Sequence, residues 1–353
     1  MSSGSAPPPQ PTSVYDAAFR ELHLHAPQLE VADASWAPVA NANRYDNVLP
    51  FAETRVKLAP ALRDDDRRGR WDYINANHVL IHALSGASSR YIATQGPLPH
   101  TVPDFWRMVW EQRSPLIVML CNHQENGRDK CAVYVPEANR SPRLRFVYGT
   151  VPALSLDVVL TSVVYFDGAG RPLPWDGCVA PADAVFVERT LNLVSAAAGT
   201  VVRTVHHLQF LRWPDHGVPS SIEFAAFYAR FAQLKTRAFG PVCVHCSAGV
   251  GRTGTFCAID TLLERVNERA ADGSNTCTSS RALLSEAVRV CTNCAITGRG
   301  SWTARSSWSS CTPSAPRSSD SRSMFSIKRF SAHVFNKSRR SVRRASTRRA
   351  AWP

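Results

Sequence analysis

The sequence predicts one large α/β domain with a tail at each end. Residues 116–120 and 242–244 are continuous apolar runs, which are typical of strands buried on both faces. Residues 102–112 and 221–235 repeat their apolar side chains at helical spacing, which predicts amphipathic helices. A chain of 353 residues is long enough to enclose a large core. Because strands buried on both faces need cover on each side, we expect a central sheet flanked by helices.

Further strands are predicted where side chains alternate between apolar and polar. This pattern occurs at residues 72–79, 91–97 and 202–210. Residues 141–183 include the Gly/Pro-rich string DGAGRPLPWDG and are predicted to form a surface insertion on an antiparallel hairpin. A helix is predicted from about residue 253 to 268, directly after the last strand.

The excess of positive charge lies in the C-terminal tail. The chain carries 41 Lys/Arg and 28 Asp/Glu, a formal net charge of +13. Residues 291–353 hold thirteen of the basic residues and one acid, so this tail accounts for +12 and leaves +1 for the rest. The body of the protein is therefore close to neutral, and no nucleic-acid partner is expected for it. Residues 1–13 are rich in proline and serine and are predicted to be disordered.

The cysteine content indicates a reducing compartment. Ten cysteines occur without a signal-peptide pattern, which favours free thiols in the cytoplasm over a disulfide framework. No run approaches the roughly 20 apolar residues of a membrane span. We therefore expect a cytoplasmic protein.

The stretch VCVHCSAGVGRTGTF at residues 242–256 carries the strongest chemical signal. Small residues in the loop after the strand let successive backbone N–H groups turn inward and hold an oxyanion. The helix that follows adds its positive N-terminal end on the same side. Cys246 stands at the mouth of this nest, where its thiolate is stabilised, and the fork of Arg252 matches two phosphate oxygens. The H-C-x5-R-T spacing is far more specific than a lone buried cysteine, so it predicts a phosphate pocket with a nucleophile.

This loop resembles the signature loop of classical, phosphotyrosine-specific protein tyrosine phosphatases of the non-receptor type. The resemblance runs from about residue 14 to residue 290 and implies the cysteine-phosphatase fold, a central, highly twisted mixed β-sheet flanked by helices. It implies that Cys246 attacks phosphorus and forms a phosphocysteine, while Arg252 holds the phosphate oxygens. No metal or organic cofactor is expected, and the implied partners are phosphotyrosine-containing proteins or peptides.

Other residues receive roles from the same resemblance. Asp215, in the flap sequence WPDHGVP, is implied to be the general acid and later the base that activates water. Tyr45 would stack on the substrate ring, and Asn47 would bond to the substrate backbone. Val135 stands where a tryptophan is usual in the family. The remaining expected site residues are the phosphate-binding loop Ser247, Ala248, Gly249, Val250 and Gly251, and the supporting residues Thr253, Lys130, His245 and Trp213.

The family pattern collapses after residue 290. The final segment is Ser/Arg-rich, lacks usable periodicity and contains none of the glutamine that positions water in the family. Residues 292–313 can be written with permitted codons that, read from the third base of each codon, give a string with the family's L-R-x-x-R-P-G-x-V and E-Q-x-x-F-x-Y patterns. Residues 291–353 are therefore interpreted either as a disordered basic tail or as an out-of-frame translation. A genuine tail would suit anionic lipid or nucleic acid.

Three functions remain open on the sequence. The first is hydrolysis of phosphotyrosine in proteins. The second is a phosphotyrosine-binding pseudophosphatase, impaired in its second step because the terminal helices and the water-positioning glutamine are missing. A dual-specificity phosphatase is the weakest of the three, because Tyr45 and its loop would make the pocket too deep for phosphoserine.

Overall fold

The computed structural model describes residues 30–32, 37–59, 72–82, 88–138, 141–148, 155–195, 201–214, 217–237 and 239–271. The two predicted tails lie outside these residues. The boundaries of the phosphatase domain at 14 and 290 therefore stay predictions. No helix within the described ranges is long and apolar enough to cross a membrane.

The described chain contains four α-helices and twelve strands, and eight of the strands follow one another between the second and third helices. The helices are α1 Ala37–Ala40, α2 Val102–Glu111, α3 Ser221–Lys235 and α4 Gly251–Ala271, with a 3-10 turn at Pro99–Thr101 before α2. The strands are β1 Arg55–Lys57, β2 Tyr73–His82, β3 Ser88–Thr94, β4 Leu116–Met119, β5 Gln124–Glu125, β6 Arg128–Asp129, β7 Arg143–Val147, β8 Ser155–Phe166, β9 Pro172–Leu173, β10 Phe186–Ser195, β11 Val201–Phe210 and β12 Val242–His245. Helix α4 begins two residues before the predicted start, so Arg252 belongs to its first turn.

Ten of the described strands form one mixed sheet in the order β1-β2-β3-β12-β4-β11-β10-β8-β7, with β9 paired to β8. Strands β3, β12, β4 and β11 run parallel to one another, and the outer pairs are antiparallel. All four residues of β4 and all four of β12 are buried, as expected for strands covered on both faces. The predicted α/β fold with a mixed sheet and flanking helices is thus confirmed.

Aromatic side chains join the two long helices below the sheet. Phe231 on α3 meets Phe256 on α4 edge to face, with 4.7 Å between ring centroids. Phe227 contacts the same ring at 6.1 Å and also Phe210 of β11 at 5.1 Å. Full burial of one such ring stabilises the fold by about 1.5–3 kcal/mol. These contacts fix the first turn of α4, and with it Arg252, against the sheet.

A buried ionic cluster holds the middle of α4. Asp260 is 1% exposed and accepts hydrogen bonds from Lys235 Nζ at 2.6 Å and from Tyr228 Oη at 2.7 Å. Tyr91 of β3 also donates to it. Burial opposes the charge of Lys235, but the carboxylates of Asp260 and Glu264 outweigh this effect and raise the pKa of the lysine.

Residues 141–183 contain the predicted antiparallel hairpin, formed by β7 and β8, and the interpretation of the segment as an insertion stays a prediction. They supply β7, β8 and β9, which extend the main sheet, and the register pairs Val158 with Leu193 of β10. Val158 is fully buried and Leu156 is 3% exposed. β8 is rich in β-branched and aromatic residues, which favours a long strand. All of β7 and residues 168–183 are exposed or half-buried, so much of the segment still lies at the surface.

Candidate active site

The candidate site lies where the four parallel strands end. The register places His245, the last residue of β12, beside Thr94 of β3 and Met119 of β4. Gln209 near the end of β11 pairs with Met119. The loops that follow these strands therefore meet at one edge of the sheet, which is where open α/β sheets place their ligand sites.

The loop from Cys246 to Gly251 is shaped by its glycines. Gly249 has φ +78°, and a Cβ there would collide with the backbone of Thr94. Gly96 N donates to Ser247 O at 2.9 Å, which ties the loop to the segment after β3. Within the described ranges, none of the N–H groups from Ser247 to Gly251 donates to a backbone carbonyl. This row includes Ala248 and Val250, and its binding of an anion stays a prediction.

The guanidinium of Arg252 is held by the carboxylate of Glu125 close to Cys246. Its two terminal nitrogens donate to the two oxygens of Glu125 at 2.6 and 2.7 Å, and Nη1 also reaches Leu120 O at 3.0 Å. Burial opposes the charge, but Glu125 and the nearby Cys246 sulfur more than compensate and raise the pKa of Arg252 above its ordinary value. Cys246 itself is only 5% exposed. The fork is thus pre-positioned next to a buried thiol.

His245 holds the backbone of Cys246 as part of a chain of buried hydrogen bonds. Its Nδ1 lies 3.0 Å from Cys246 O, and its Nε2 lies 2.6 Å from Tyr134 Oη. Tyr134 Oη also lies 2.8 Å from His207 Nε2, and His207 Nδ1 lies 3.3 Å from Arg189 Nη1. Burial, followed by the charge of Arg189, lowers the pKa of His207 well below its ordinary value, so this ring is neutral at pH 7.

The donor directions in this chain follow from its first member. An arginine donates and never accepts, so His207 Nδ1 accepts from Arg189 and the ring proton sits on Nε2. His207 then donates to Tyr134, Tyr134 donates to His245 Nε2, and His245 Nδ1–H donates to Cys246 O. The chain ends on the backbone carbonyl of Cys246, so it fixes the position of that residue at the end of β12.

The loop that carries Tyr45 is fastened to the phosphate-binding loop. Ser247 Oγ donates to Lys130 O at 2.9 Å, so Tyr45 Oη is the donor in its 2.9 Å bond to Ser247 Oγ. Arg44 fixes the same segment through Nε to Gly96 O at 2.9 Å and Nη2 to Pro97 O at 2.7 Å. Asn47 lies in the next turn and is exposed. Tyr45 is therefore brought to the rim of the site.

Thr253 and Trp213, two further predicted site residues, are both buried. Thr253 is fully buried, and its hydroxyl has no hydrogen-bond partner among the described residues. Trp213 is 5% exposed, packs edge to face on Phe224 at 5.6 Å and donates to Gly217 O at 3.1 Å. This bond links the two ends of the flap. Asp215 lies outside the described residues, so its role stays a prediction.

Three residues that the structure places at the site were not among those predicted from the sequence. Glu125 binds Arg252, Arg44 fastens the Tyr45 loop, and Tyr134 supports His245. Each acts on a partner more than fifty residues away. No local pattern in the sequence marks such a contact. The one available signal was Glu125, an acidic residue shortly after β4, because a buried arginine such as Arg252 needs a counter-charge.

Comparisons with known proteins agree with this geometry. The family model for protein-tyrosine phosphatase matches residues 40–153 and 178–293. Mouse tyrosine-protein phosphatase non-receptor type 18 is 39% identical over 221 residues, which are 62% of this chain and 41% of that protein. Chicken receptor-type tyrosine-protein phosphatase S is 40% identical over 232 residues, 65% of this chain and 13% of that protein. The match thus spans less than half the length of either relative.

The fold is also similar to that of solved structures. PTPN18 in complex with HER2-pY1196 phosphor-peptides superposes with a TM-score of 0.58 at 28% identity, covering 81% of this chain and 85% of that one. A second structure, described as the basis of the PTPN18 fingerprint on distinct HER2 tyrosine phosphorylation sites, gives a TM-score of 0.56 at 29% identity, over 78% and 87% of the two chains. Together with the family match over more than half of its length, these findings show that the chain belongs to the protein-tyrosine phosphatase family.

Proposed function

We propose that the protein hydrolyses phosphotyrosine in proteins and peptides through a phosphocysteine intermediate. The observation that carries the proposal is the doubly bonded Arg252–Glu125 pair beside Cys246, at a loop whose N–H groups are open to an anion. A guanidinium and a row of amides stabilise the charge on phosphate oxygens as it redistributes in the transition state. The comparison structure with phosphotyrosine peptides supports the substrate class.

In the first step the Cys246 thiolate attacks phosphorus. The new S–P bond forms as the P–O bond to tyrosine breaks, and the electron pair of that bond goes to the phenol oxygen. Asp215 donates a proton to this oxygen, so tyrosine leaves as a neutral phenol. Arg252 binds two of the phosphate oxygens throughout. The hydrogen-bond chain that ends at His245 holds the backbone of Cys246 in position for the attack.

In the second step water attacks the phosphocysteine. Asp215, now a carboxylate, takes a proton from the water, the S–P bond breaks and its electron pair returns to sulfur. Inorganic phosphate leaves, and the thiolate is regenerated. The buried hydroxyl of Thr253 is the group we assign to the departing sulfur, because it lies one residue after Arg252 without another partner among the described residues.

Substrate choice is assigned to the loop that holds Tyr45. Its hydrogen bond to Ser247 and the four bonds from Arg44 keep the ring at the rim of the site. A tall rim admits the long phosphotyrosine side chain and leaves phosphoserine short of the sulfur. Asn47 is exposed beside this ring, where its amide is placed to bond to a peptide backbone.

We also place the protein in the cytoplasm. Cys121, Cys131, Cys243, Cys246 and Cys257 are free thiols. A thiolate nucleophile works only while it stays reduced, which the cytoplasm favours.

Steady-state hydrolysis of 4-nitrophenyl phosphate and of a phosphotyrosine peptide tests the proposal. We expect turnover by the 353-residue chain that disappears in Cys246→Ser and persists in Cys178→Ser, an exposed cysteine used as the matched control. A phosphoserine peptide should not be cleaved, and cleavage would favour the dual-specificity class. A single burst equal to the protein concentration, with no later turnover, would contradict the proposal and indicate a phosphotyrosine-binding module.

A further inference from the structure

A second cavity lies on the far side of the Tyr134–His207 chain. It has a volume of about 320 Å³ and is lined by Val135, Val163, Tyr165, Trp175 and Arg189, among others. Neither Cys246 nor Arg252 lines it. This volume is in the range of small-ligand sites and corresponds to about ten water molecules.

The sheet register brings one row of side chains to this cavity. Arg189 of β10 pairs directly with Val163 of β8 on one side and with His207 of β11 on the other. Directly paired residues share a face of the sheet, and all three line the cavity. Charged Arg189 therefore lies between His207 on one side and apolar Val163 on the other.

The hydrogen bonds of Arg189 are to neutral groups. Nη1 donates to Gln209 Oε1 at 3.0 Å and to His207 Nδ1 at 3.3 Å, and the guanidinium also bonds to Tyr165. Burial lowers the pKa of Arg189, while Glu137 favours the charge through space. A partly buried guanidinium whose hydrogen-bond partners among the described residues are neutral gains from pairing with a bound anion.

Trp175 provides a second donor at the same cavity. Its indole N–H is buried and has no acceptor in the part of the chain that the structure describes. A buried N–H without an acceptor costs about 1–3 kcal/mol. The ring itself is fixed edge to face on Tyr165 at 5.4 Å, so the donor is held in place.

We propose that this cavity binds a small organic acid of the aromatic carboxylate class. The carboxylate pairs with Arg189 and accepts from the Trp175 indole, and the flat apolar body lies along Val135 and Val163. A monoanion suits the site better than phosphate, because Glu137 lines the same cavity and repels a second negative charge.

Isothermal titration of benzoate into the 353-residue protein tests the proposal, with vanadate present to occupy the phosphate site. We expect saturable binding at one site with a Kd on the order of 1 mM or below. The neutral isostere benzamide should bind at least roughly tenfold more weakly, because it cannot pair with the guanidinium. Arg189→Gln should show the same loss for benzoate, and the exposed control Arg237→Gln should bind as the unchanged protein does.

A second variant keeps the proposal testable if Arg189→Gln fails to fold. Val163→Phe fills the cavity from the apolar side without touching the charge, and it should abolish benzoate binding while turnover of an aryl phosphate persists. Three results would overturn the proposal. They are no saturable binding to the unchanged protein, unaltered binding in Val163→Phe, and benzoate binding that appears only when vanadate is left out, which would assign benzoate to the phosphate site.

Discussion

The ion pair between Glu125 and Arg252 gives the sharpest test of how the site is built. Glu125→Gln keeps the size of the side chain but removes its charge and one acceptor. The side chains of Glu125 and Arg252 are only 8% and 14% exposed, and their two hydrogen bonds measure 2.6 and 2.7 Å. The pair is therefore bidentate and largely shielded from water. A hydrogen bond to a charged group contributes about 1.5–3 kcal/mol. Leu120 O still accepts from Nη1 in the variant, so Arg252 is loosened but keeps one partner.

Loss of that contribution from the transition state corresponds to a decrease of roughly 10- to 150-fold in kcat/KM. We expect the decrease to appear with 4-nitrophenyl phosphate, and inhibition by inorganic phosphate to weaken in parallel, because the same fork binds both. Glu53→Gln, at an exposed glutamate away from the site, is the matched control and should behave as the unchanged protein. A folded Glu125→Gln protein with kcat/KM within about twofold of the unchanged enzyme would refute the view that Glu125 positions Arg252.

Four further predictions follow from named contacts. Tyr134→Phe removes the hydroxyl that bonds both His207 and His245, so alkylation of the nucleophile by iodoacetamide at pH 7 should slow, and an unchanged rate would contradict the chain. Tyr45→Ala should raise KM for a phosphotyrosine peptide by about tenfold, whereas Tyr45→Phe, which loses only the bond to Ser247, should change it little. Asp260→Asn should lower stability by about 3 kcal/mol, which calorimetry would show as a Tm lower by roughly 6–12 °C. Arg145 holds the pKa of Asp157 below its ordinary 3.8, so Asp157 stabilises the fold above that range; urea unfolding should show a deficit in Asp157→Asn at pH 7 that closes as pH falls below about 4.

The basic tail bears on the second chemical step, and it lies outside the described residues. Sequencing the transcript across codons 285–315 should reveal a frame change if the out-of-frame interpretation is right. An uninterrupted frame that encodes the printed residues would make the tail genuine. Direct binding to anionic vesicles would then become the relevant measurement for it.

The parts of the site that lie close together in the chain were predictable from the sequence. Cys246, Gly249 and Arg252 fall within seven consecutive residues, so strand, tight turn and helix start dictate their arrangement almost without the rest of the fold. The long periodic elements were predictable for the same reason: α3 has the predicted bounds, and α2 ends one residue earlier. A repeat of apolar side chains is a local property that packing then confirms.

Only the tertiary structure decided which groups act on that loop from a distance. Glu125 and Arg252 are 127 residues apart in the chain, Tyr134 and His245 are 111 apart, and the parallel strand ends bring each pair together. The cavity at Arg189 likewise depends on three strands whose register no single stretch encodes. A nucleophilic loop can be recognised from spacing alone because its backbone makes the site. A counter-charge or a second binding cavity cannot, because burial and direction arise only when distant segments pack against one another.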